Sequence, residues 1–247
     1  MLWALGLMAA AIGLASWQRL GLAGTLAIAT LRTILQLFVV GYILATIFAW
    51  RQPLAIVALL LVMLTVAAAV ARNRIGNYSG LLLQLWLALL VSLTVTLAYS
   101  TLVVIRPETW YEPRYVIPLA GIVLGNAMTA AAITGDRLAS ALTQNRVAIE
   151  THLSLGATPT QAIARYQREA VKAGLIPTVN AMMIVGIVKL PGIITGQILS
   201  GTDPLDAALY QMLIMFMLAF ADVLTGILVT RSLSRRFFNA AAQLVLP

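Results

Sequence analysis

Two ionisable residues, Lys189 and Asp222, lie inside long apolar stretches of the sequence. An ionisable side chain near the centre of a bilayer costs at least about 2.5–3.5 kcal/mol, so such residues are candidates for gating or for lining a pathway. In one interpretation Lys189 and Asp222 pair across neighbouring helices, with Arg32 as another partner for Asp222. In the other, both side chains extend along apolar surface toward water and have no such role.

A second group of candidates consists of amides and thioethers. Asn126 and Asn180 occur in the same local sequence, Asn-Ala-Met, in two different apolar stretches. Their amide oxygens, together with the sulfurs of Met128, Met182 and Met183, are candidates for a weak transit site for a cation. The alternative is structural, with asparagines joining helices by hydrogen bonds and methionines filling space. Because the chain has one histidine and no cysteine, we expect no tight metal site and no cofactor bound to this chain.

Residues 174–200 form an apolar run that contains Lys189, Pro191 and Gly192. Proline removes a backbone donor, so Lys189-Leu190-Pro191-Gly192 predicts a kink or break. Interrupted helices indicate binding sites in transporters, which makes Pro191, Gly192 and the nearby Gln197 pathway candidates. The alternative is a kink that only shapes packing. Small residues one turn apart in the same run are typical of helix-packing faces, and one such face is a candidate homodimer interface.

Residues 136–173 are the only sizeable polar part of the chain. Four apolar side chains recur there at roughly helical spacing: Leu138, Leu142, Ile149 and Leu153. They predict an amphipathic extension of the preceding apolar run that ends at Gly156, a residue suited to a left-handed helix terminus. Thr158, Pro159 and Gln161 then predict a capping box that opens a second helix. The pattern indicates a helix-turn-helix that projects from the membrane; the alternative is an amphipathic loop on the lipid surface.

The composition shows which class of protein these residues belong to. The chain has 247 residues, of which 61% are hydrophobic and 10% charged, and its mean hydropathy is +0.95. Soluble domains carry about 25% charged residues, so a cytosolic enzyme, a disordered chain and a soluble nucleic-acid-binding protein are excluded. The absence of cysteine excludes disulfides and thiolate sites. The composition indicates an integral membrane protein.

Seven apolar runs are candidates for membrane spans, which need about 20 residues each. The runs cover residues 2–16, 33–49, 54–71, 81–105, 116–135, 174–200 and 205–230. They are continuous, without the alternation of barrel strands, and therefore predict a single all-α transmembrane domain over residues 1–247 with about seven helices. No basic residue precedes the first run, so a cleavable signal peptide is not expected. Residues 20–31 predict an interfacial or cytoplasmic-end helix that leads into the second span, with a re-entrant segment as the alternative.

The distribution of charge predicts the orientation. If the N-terminus lies outside, twelve lysines and arginines fall on the cytoplasmic side and three on the outside. This asymmetry satisfies the positive-inside rule, and an even number of spans would destroy it. The net charge of +8 is therefore expected to orient the spans, with the C-terminus in the cytoplasm. We expect a multi-pass protein of the plasma (inner) membrane that has no nucleic-acid partner.

Several sequence stretches resemble known permeases. Glu150, followed six positions later by Gly156, is similar to the Glu-Ala-Ala…Gly loop that couples ABC-transporter permeases to their ATPases, although Thr151 and His152 replace the alanines. Four longer stretches resemble the FetB-type permease family, which includes the bacterial iron-export permease and the plant aluminium-sensitivity transporter subunit: residues 125–128, 155–159, 176–182 and 190–204.

The resemblance implies a permease that works with a separate ATP-binding subunit and, in the bacterial branch, exports iron. It also implies that the ATPase contact involves Glu150, Leu155, Gly156, Ala157, Thr158 and Pro159. Two departures disfavour a metal cation as substrate. Ile193 and Ile194 stand where the family has methionines, and Lys189 stands where it has a small polar residue.

The sequence has no P-loop motif with which to bind ATP. Its two lysines, Lys172 and Lys189, lack the Gly-x-x-x-x-Gly-Lys-Ser/Thr context of a P-loop. We therefore expect a non-enzymatic permease, homodimeric and exporting iron or another metal ion, with ATP and Mg²⁺ bound by a partner subunit. The alternatives are an ATP-independent secondary transporter or channel, an ABC permease for a non-metal substrate such as a nucleotide sugar, and a membrane anchor or assembly subunit.

Overall fold

A computed structural model describes residues 2–50, 52–76, 78, 80–107, 109, 111–239 and 241–245. Helices dominate this part of the chain, in agreement with the predicted all-α fold. The α-helices are α1 (Leu2–Trp17), α2 (Ala23–Trp50), α3 (Pro53–Ile75), α4 (Leu81–Tyr99), α5 (Pro113–Gln144), α6 (Arg146–Ser154), α7 (Pro159–Ile184), α8 (Gly192–Leu199) and α9 (Pro204–Ser234). A π-helical segment, Ser100–Ile105, continues α4.

The chain divides into two compact units, the first of which extends to Ala55. In this unit α1 and α2 contact each other, and a tight turn joins them, with Arg19 and Gly21 at φ 50° and 70°. Helix α2 runs without interruption for 28 residues. Residues 23–31 are therefore the start of the helix that contains the predicted second span. The re-entrant alternative is wrong, because the chain does not reverse direction between residues 23 and 50.

The second unit begins at Ile56 and has its core where α4, α5, α7 and α9 pack together. Small residues allow these helices to approach closely. A Cβ atom added at Gly174 of α7 would overlap Thr134 Oγ1 and lie 2.9 Å from the carbonyl oxygen of Ala130, both on α5. A Cβ added at Gly226 of α9 would lie 3.3 Å from Val171 Cγ1 on α7. Glycine at 174 is therefore required for the close approach of α7 to α5, and glycine at 226 allows α9 to pack tightly against α7.

Five helical segments of the described chain are long and apolar enough to cross a membrane: α2, α3, Leu81–Ile105, α5 and α9. Helix α1 is apolar but shorter, with an apolar stretch of Leu5–Trp17. The structure thus agrees with an all-helical, multi-pass membrane protein. The number of seven spans and the orientation stay predictions.

The predicted sixth span, residues 174–200, does not form one continuous helix. Helix α7 ends at Ile184 and α8 begins at Gly192, and Gly186 between them adopts a positive φ of 79°. The N–H of Gly186 donates to the carbonyl oxygen of Lys189 at 3.0 Å, closing a tight turn. The break that the Pro191 motif predicts is present, but it starts earlier because the left-handed glycine, rather than the proline, ends the helix.

The extension of the fifth span is also divided. Helix α5 continues past residue 135 to Gln144, as the amphipathic pattern predicts, but α6 is separate. At the junction the side chain Nδ2 of Asn145 donates to the carbonyl oxygen of Ala141 at 2.8 Å. The backbone of Asn145 departs from helical values, with φ −108° and ψ 27°, and this separates α5 from α6 before the chain reaches Gly156.

Candidate functional site

The connection between α6 and α7 is a left-handed turn at Gly156, where φ is 90°. The N–H of Gly156 donates to the carbonyl oxygen of Leu153, and that of Ala157 to the carbonyl oxygen of His152, both at 3.0 Å. This pair of bonds is the Schellman motif, whose left-handed residue glycine adopts without strain. The prediction that the helix stops at Gly156 is confirmed.

Helix α7 begins with the predicted capping box. The N–H of Gln161 donates to Thr158 Oγ1 at 3.3 Å, and the N–H of Thr158 donates to Gln161 Oε1 at 2.9 Å. Pro159 occupies the start of the helix, where its missing N–H costs nothing. Both helix ends are therefore fixed by local bonds, and residues 155–159, called here the α6–α7 corner, have a defined shape.

Two large apolar side chains are exposed on α6 and at the α6–α7 corner. Val147 and Leu155, about two helical turns apart, have exposed fractions of 77% and 81%. On the other face of α6, Ile149 is fully buried and Leu153 packs against the core. Glu150 forms an exposed ion pair with Arg146, with 2.7 Å between Oε1 and Nε. Leu155 thus presents an apolar side chain at the tip of a corner whose backbone is fixed by the capping bonds.

The C-terminal segment (residues 235–239 and 241–245) packs against the connection between α3 and α4, which the sequence analysis did not predict. Phe237 is 1% exposed, and its ring centroid lies 5.9 Å from that of Tyr78. The Oδ1 atom of Asn239 accepts hydrogen bonds from the N–H groups of Ala241 and Gln243. A cleft of about 580 Å³ separates the segment from α6 and the corner. The feature of the sequence that could have indicated this packing is Phe237, an aromatic residue directly after two arginines.

A second cleft, of about 540 Å³, lies between the first half of α7 and the last turn of α9. Arg231 and Arg235, one turn apart, line it together with Gln167, whose Nε2 donates to Ser234 Oγ at 2.7 Å. Elsewhere on α7, the hydrogen bond from Arg165 lowers the pKa of the Glu169 carboxyl. Arg165, Arg231 and Arg235 together make the region around the corner rich in basic side chains.

Asp222 is buried at the contact between α7 and α9, with an exposed fraction of 2%. Thr178 Oγ1 donates a hydrogen bond to Asp222 Oδ2. The second carboxyl oxygen, Oδ1, is also buried and has no hydrogen-bond partner within the described residues. Thr178 was not among the candidates from the sequence, because threonine is common in apolar helices and nothing local distinguishes it.

Further buried hydroxyl groups extend this polar region across the helix core. Ser92 Oγ on α4 donates to the carbonyl oxygen of Ala221 at 3.2 Å, and Thr225 Oγ1 donates to Ser92 Oγ at 2.7 Å. Thr134 on α5 is completely buried, and its Oγ1 has no partner in the described part of the chain. We call Ser92, Thr134, Thr178, Asp222 and Thr225 the buried polar cluster.

The other pathway candidates lie outside this cluster. Lys189 is exposed in the turn between α7 and α8, and no ion pair joins it to Asp222 although both are described. Pro191 is the N-terminal cap of α8, and Gly192 is its exposed first residue. Gln197 is half-buried, with an Oε1 atom that lacks a partner among the described residues.

The amide and thioether candidates lie in different environments. Asn126 Nδ2 donates to the carbonyl oxygen of Ile122, within its own helix, at 3.1 Å, whereas Asn180 is exposed. No hydrogen bond joins these two amides, both of which the structure describes. Met128 packs against the core, Met182 is half-buried and Met183 is exposed. In the described residues there is also no group of three or more His, Cys, Asp or Glu that could hold a metal ion.

Residues 1–238 match the model of the family described as "Uncharacterised protein family (UPF0014)". The chain belongs to the UPF0014 family. UPF0014 membrane protein slr1647 of Synechocystis is 53% identical, over 99% of this chain and 95% of its own. UPF0014 membrane protein STAR2 of rice is 37% identical, over 98% and 84%. The probable iron export permease protein FetB of Escherichia coli is 34% identical, over 98% and 93%. No solved structure matches the chain.

Proposed function

We propose that the protein is the membrane-spanning permease subunit of an ABC transporter that exports a metal cation with energy from a separate ATP-binding subunit. The observation that carries the proposal is the rigid α6–α7 corner with its exposed Leu155. FetB, a relative of similar length, is named a probable iron export permease. The resemblance of Glu150 and Gly156 to the coupling loop of ABC permeases agrees with this assignment.

The proposed topology has seven spans in a plasma (inner) membrane, with the N-terminus outside and the corner in the cytoplasm. Helix α1 would supply the first span, and the broken α7–α8 segment the sixth. The apolar side chains of α7 and α8 that have no cover in a single chain, among them Met183 and Leu199, are the proposed contact surface of a homodimer. ATP and Mg²⁺ would be bound by the partner subunits.

The corner suits the transmission of force. Helix α6 packs against both α5 and α7, and α7 in turn packs against α5 and α9 in the membrane core. Because the capping bonds fix the corner, a displacement imposed there by closing ATPase subunits would move α7 as a unit rather than deform a loop. Access to the transport path would change where α7 meets α5 and α9.

The test of this coupling uses Leu155→Glu, which places a charge on the exposed apolar tip without disturbing the core. The permease and its ATPase are co-purified, and ATP hydrolysis is measured in proteoliposomes. We expect loss of ATPase binding and at least a tenfold loss of permease-stimulated hydrolysis, because a carboxylate is costly to bury at a protein contact. Gln144→Glu, which adds the same charge to another exposed site, is the control and should retain both.

Equal ATPase binding and stimulation in the two variants would contradict the coupling role of the corner. Buried Asp222 favours one further outcome, an ion-coupled transporter that needs no ATPase, because intramembrane carboxyl groups are typical of ion pathways. Metal uptake by the chain alone, in liposomes without ATP or ATPase, would replace the ABC assignment with this one.

A further inference from the structure

Asp222 has no basic neighbour on the helices that pack against α9. Helices α4 and α8 contain no charged residue. The charged side chains of α5 and α7 are all at least partly exposed: Arg114, Asp136, Arg137, Arg165, Arg168, Glu169 and Lys172. On α9 itself, Asp206 and Arg231 are exposed. A buried carboxyl group without a counter-charge has to be neutralised by a bound cation or a proton.

Two buried oxygen atoms in this region have no partner within the described chain, Asp222 Oδ1 and Thr134 Oγ1. Thr134 Oγ1 lies beside Gly174 and Gly226. Gly174 precedes Thr178 by one helical turn on α7, and Gly226 follows Asp222 by one turn on α9, so Thr134 lies about 5–6 Å along the helix axes from the Thr178–Asp222 bond. The two unsatisfied oxygens are therefore successive positions along the same contact of α5, α7 and α9.

The chemistry of this oxygen set selects a class of ligand. It combines one carboxyl group with neutral hydroxyls, and the buried polar cluster contains neither nitrogen nor sulfur side-chain ligands. Hard cations such as Mg²⁺, Ca²⁺ and Mn²⁺ prefer oxygen, whereas soft cations prefer thiolate or thioether. A hydroxyl oxygen has lone pairs as well as a proton, so Thr178 can either donate to Asp222 or act as a ligand beside it.

We propose that Asp222, with the hydroxyls of Thr178 and Thr134, is the intramembrane binding site for a hard, oxygen-liganded metal cation on its way through the permease. The proposal rests on the proposed function, for which it supplies a cation class and a location. The cation takes up the charge of Asp222 in exchange for the Thr178 hydrogen bond. Thr134 lies too far along the helix axes to bind the same ion directly, so its hydroxyl holds the cation through a bridging water. Because that bond joins α7 to α9, occupancy of the site acts on the helix that starts at the α6–α7 corner.

The proposed site does not depend on the isoleucines at which the sequence departs from the FetB-type pattern. Isoleucines at 193 and 194 remove soft ligands from the α8 region, but the buried polar cluster does not depend on them. A site of this kind requires no methionine and favours hard cations over soft ones.

The experiment measures binding of Mn²⁺ to the purified full-length chain in lipid nanodiscs, without ATPase or ATP, by electron paramagnetic resonance of free Mn²⁺. Asp222→Asn keeps the side-chain size and removes the charge, and we expect at least tenfold weaker binding. Thr134→Val removes one hydroxyl at constant volume and is expected to weaken binding several-fold. The control is Thr96→Val, which removes another buried hydroxyl without a described partner, outside the buried polar cluster, and should bind within twofold of the unchanged chain.

Equal elution volumes and thermal midpoints identify the variants that retain the fold, and Asp222→Glu, which restores the charge, is expected to recover part of the binding. Competition provides a second measurement, in which Mg²⁺ or Ca²⁺ should displace Mn²⁺ better than Cd²⁺. Mn²⁺ binding that is the same in Asp222→Asn and the unchanged chain, including no binding in either, would overturn the site and leave Asp222 neutralised by a proton. Because no ATPase is present, this result is independent of the coupling test at Leu155.

Discussion

At the scale of single residues, the core depends on glycines, which have no side chain, as much as on larger residues. Gly174 leaves room for the Thr134 hydroxyl, and Gly226 leaves room for Val171. Asp222 and Thr178, 44 positions apart, meet because these glycines allow α7 to approach α5 and α9. The close packing at these glycines therefore also positions the buried carboxyl group of Asp222.

Gly174→Ala tests this dependence. The added methyl group would overlap Thr134 Oγ1 and press on the Ala130 carbonyl, so we expect a loss of about 1–3 kcal/mol in stability, typical of overpacking. The thermal midpoint of the purified chain in detergent is the measurement. Gly125→Ala is the control because a Cβ atom there meets nothing within 4 Å, and its midpoint should be unchanged or slightly raised. A midpoint for Gly174→Ala equal to that of the control would refute the close contact.

At the scale of elements, the helix ends determine the conformation of the α6–α7 and α7–α8 connections. Gly156 ends α6, and the capping box of Thr158 and Gln161 starts α7. These signals involve residues three to five positions apart, and the sequence therefore predicts them directly. The break after Ile184 depends on the left-handed Gly186, and sequence alone could not distinguish this glycine from the glycines inside helices.

Thr158→Ala removes the side-chain half of the capping box. Loss of such a cap costs about 0.5–2 kcal/mol of helix stability, so the amide of Gln161 should exchange with solvent deuterium several-fold faster. Hydrogen-exchange mass spectrometry of the first turn of α7 measures this. Thr160→Ala, which removes an exposed hydroxyl with no described hydrogen bond, should leave the rate unchanged. Equal exchange in the two variants would show that the cap contributes no stability.

At the scale of the whole molecule, the sequence predicts the membrane class and the all-α fold because both follow from composition and from the length of apolar runs. The buried polar cluster could be predicted only through Asp222, since a single charge in an apolar run is visible without knowing its neighbours. Ser92, Thr134, Thr178 and Thr225 could not be assigned, because their proximity results from packing between helices far apart in sequence. The packing of the C-terminal segment against the connection between α3 and α4 is a similar long-range contact.

The orientation is testable because the chain has no cysteine. Thr202→Cys, in the exposed connection between α8 and α9, should react in intact cells with a maleimide that cannot cross the membrane. Gln144→Cys, exposed at the end of α5, should react only after the cells are permeabilised. The positive-inside distribution of arginines is the physical reason for this expectation. The reverse pattern of labelling would invert the proposed topology and place the corner outside.

The π-helical segment at Ser100–Ile105 has a consequence for how the family can change in length. The N–H of Arg106 donates to the carbonyl oxygen of Thr101, five positions back, so this turn holds one residue more than a regular helix needs. Deletion of the exposed Val103 would restore α-helical geometry and leave Ser92 in register with α9. Deletion of Leu90 would instead rotate Ser92 about 100° relative to the rest of α4. Expression levels of the two deletions should differ accordingly, and relatives that have lost one residue here would keep the same packing.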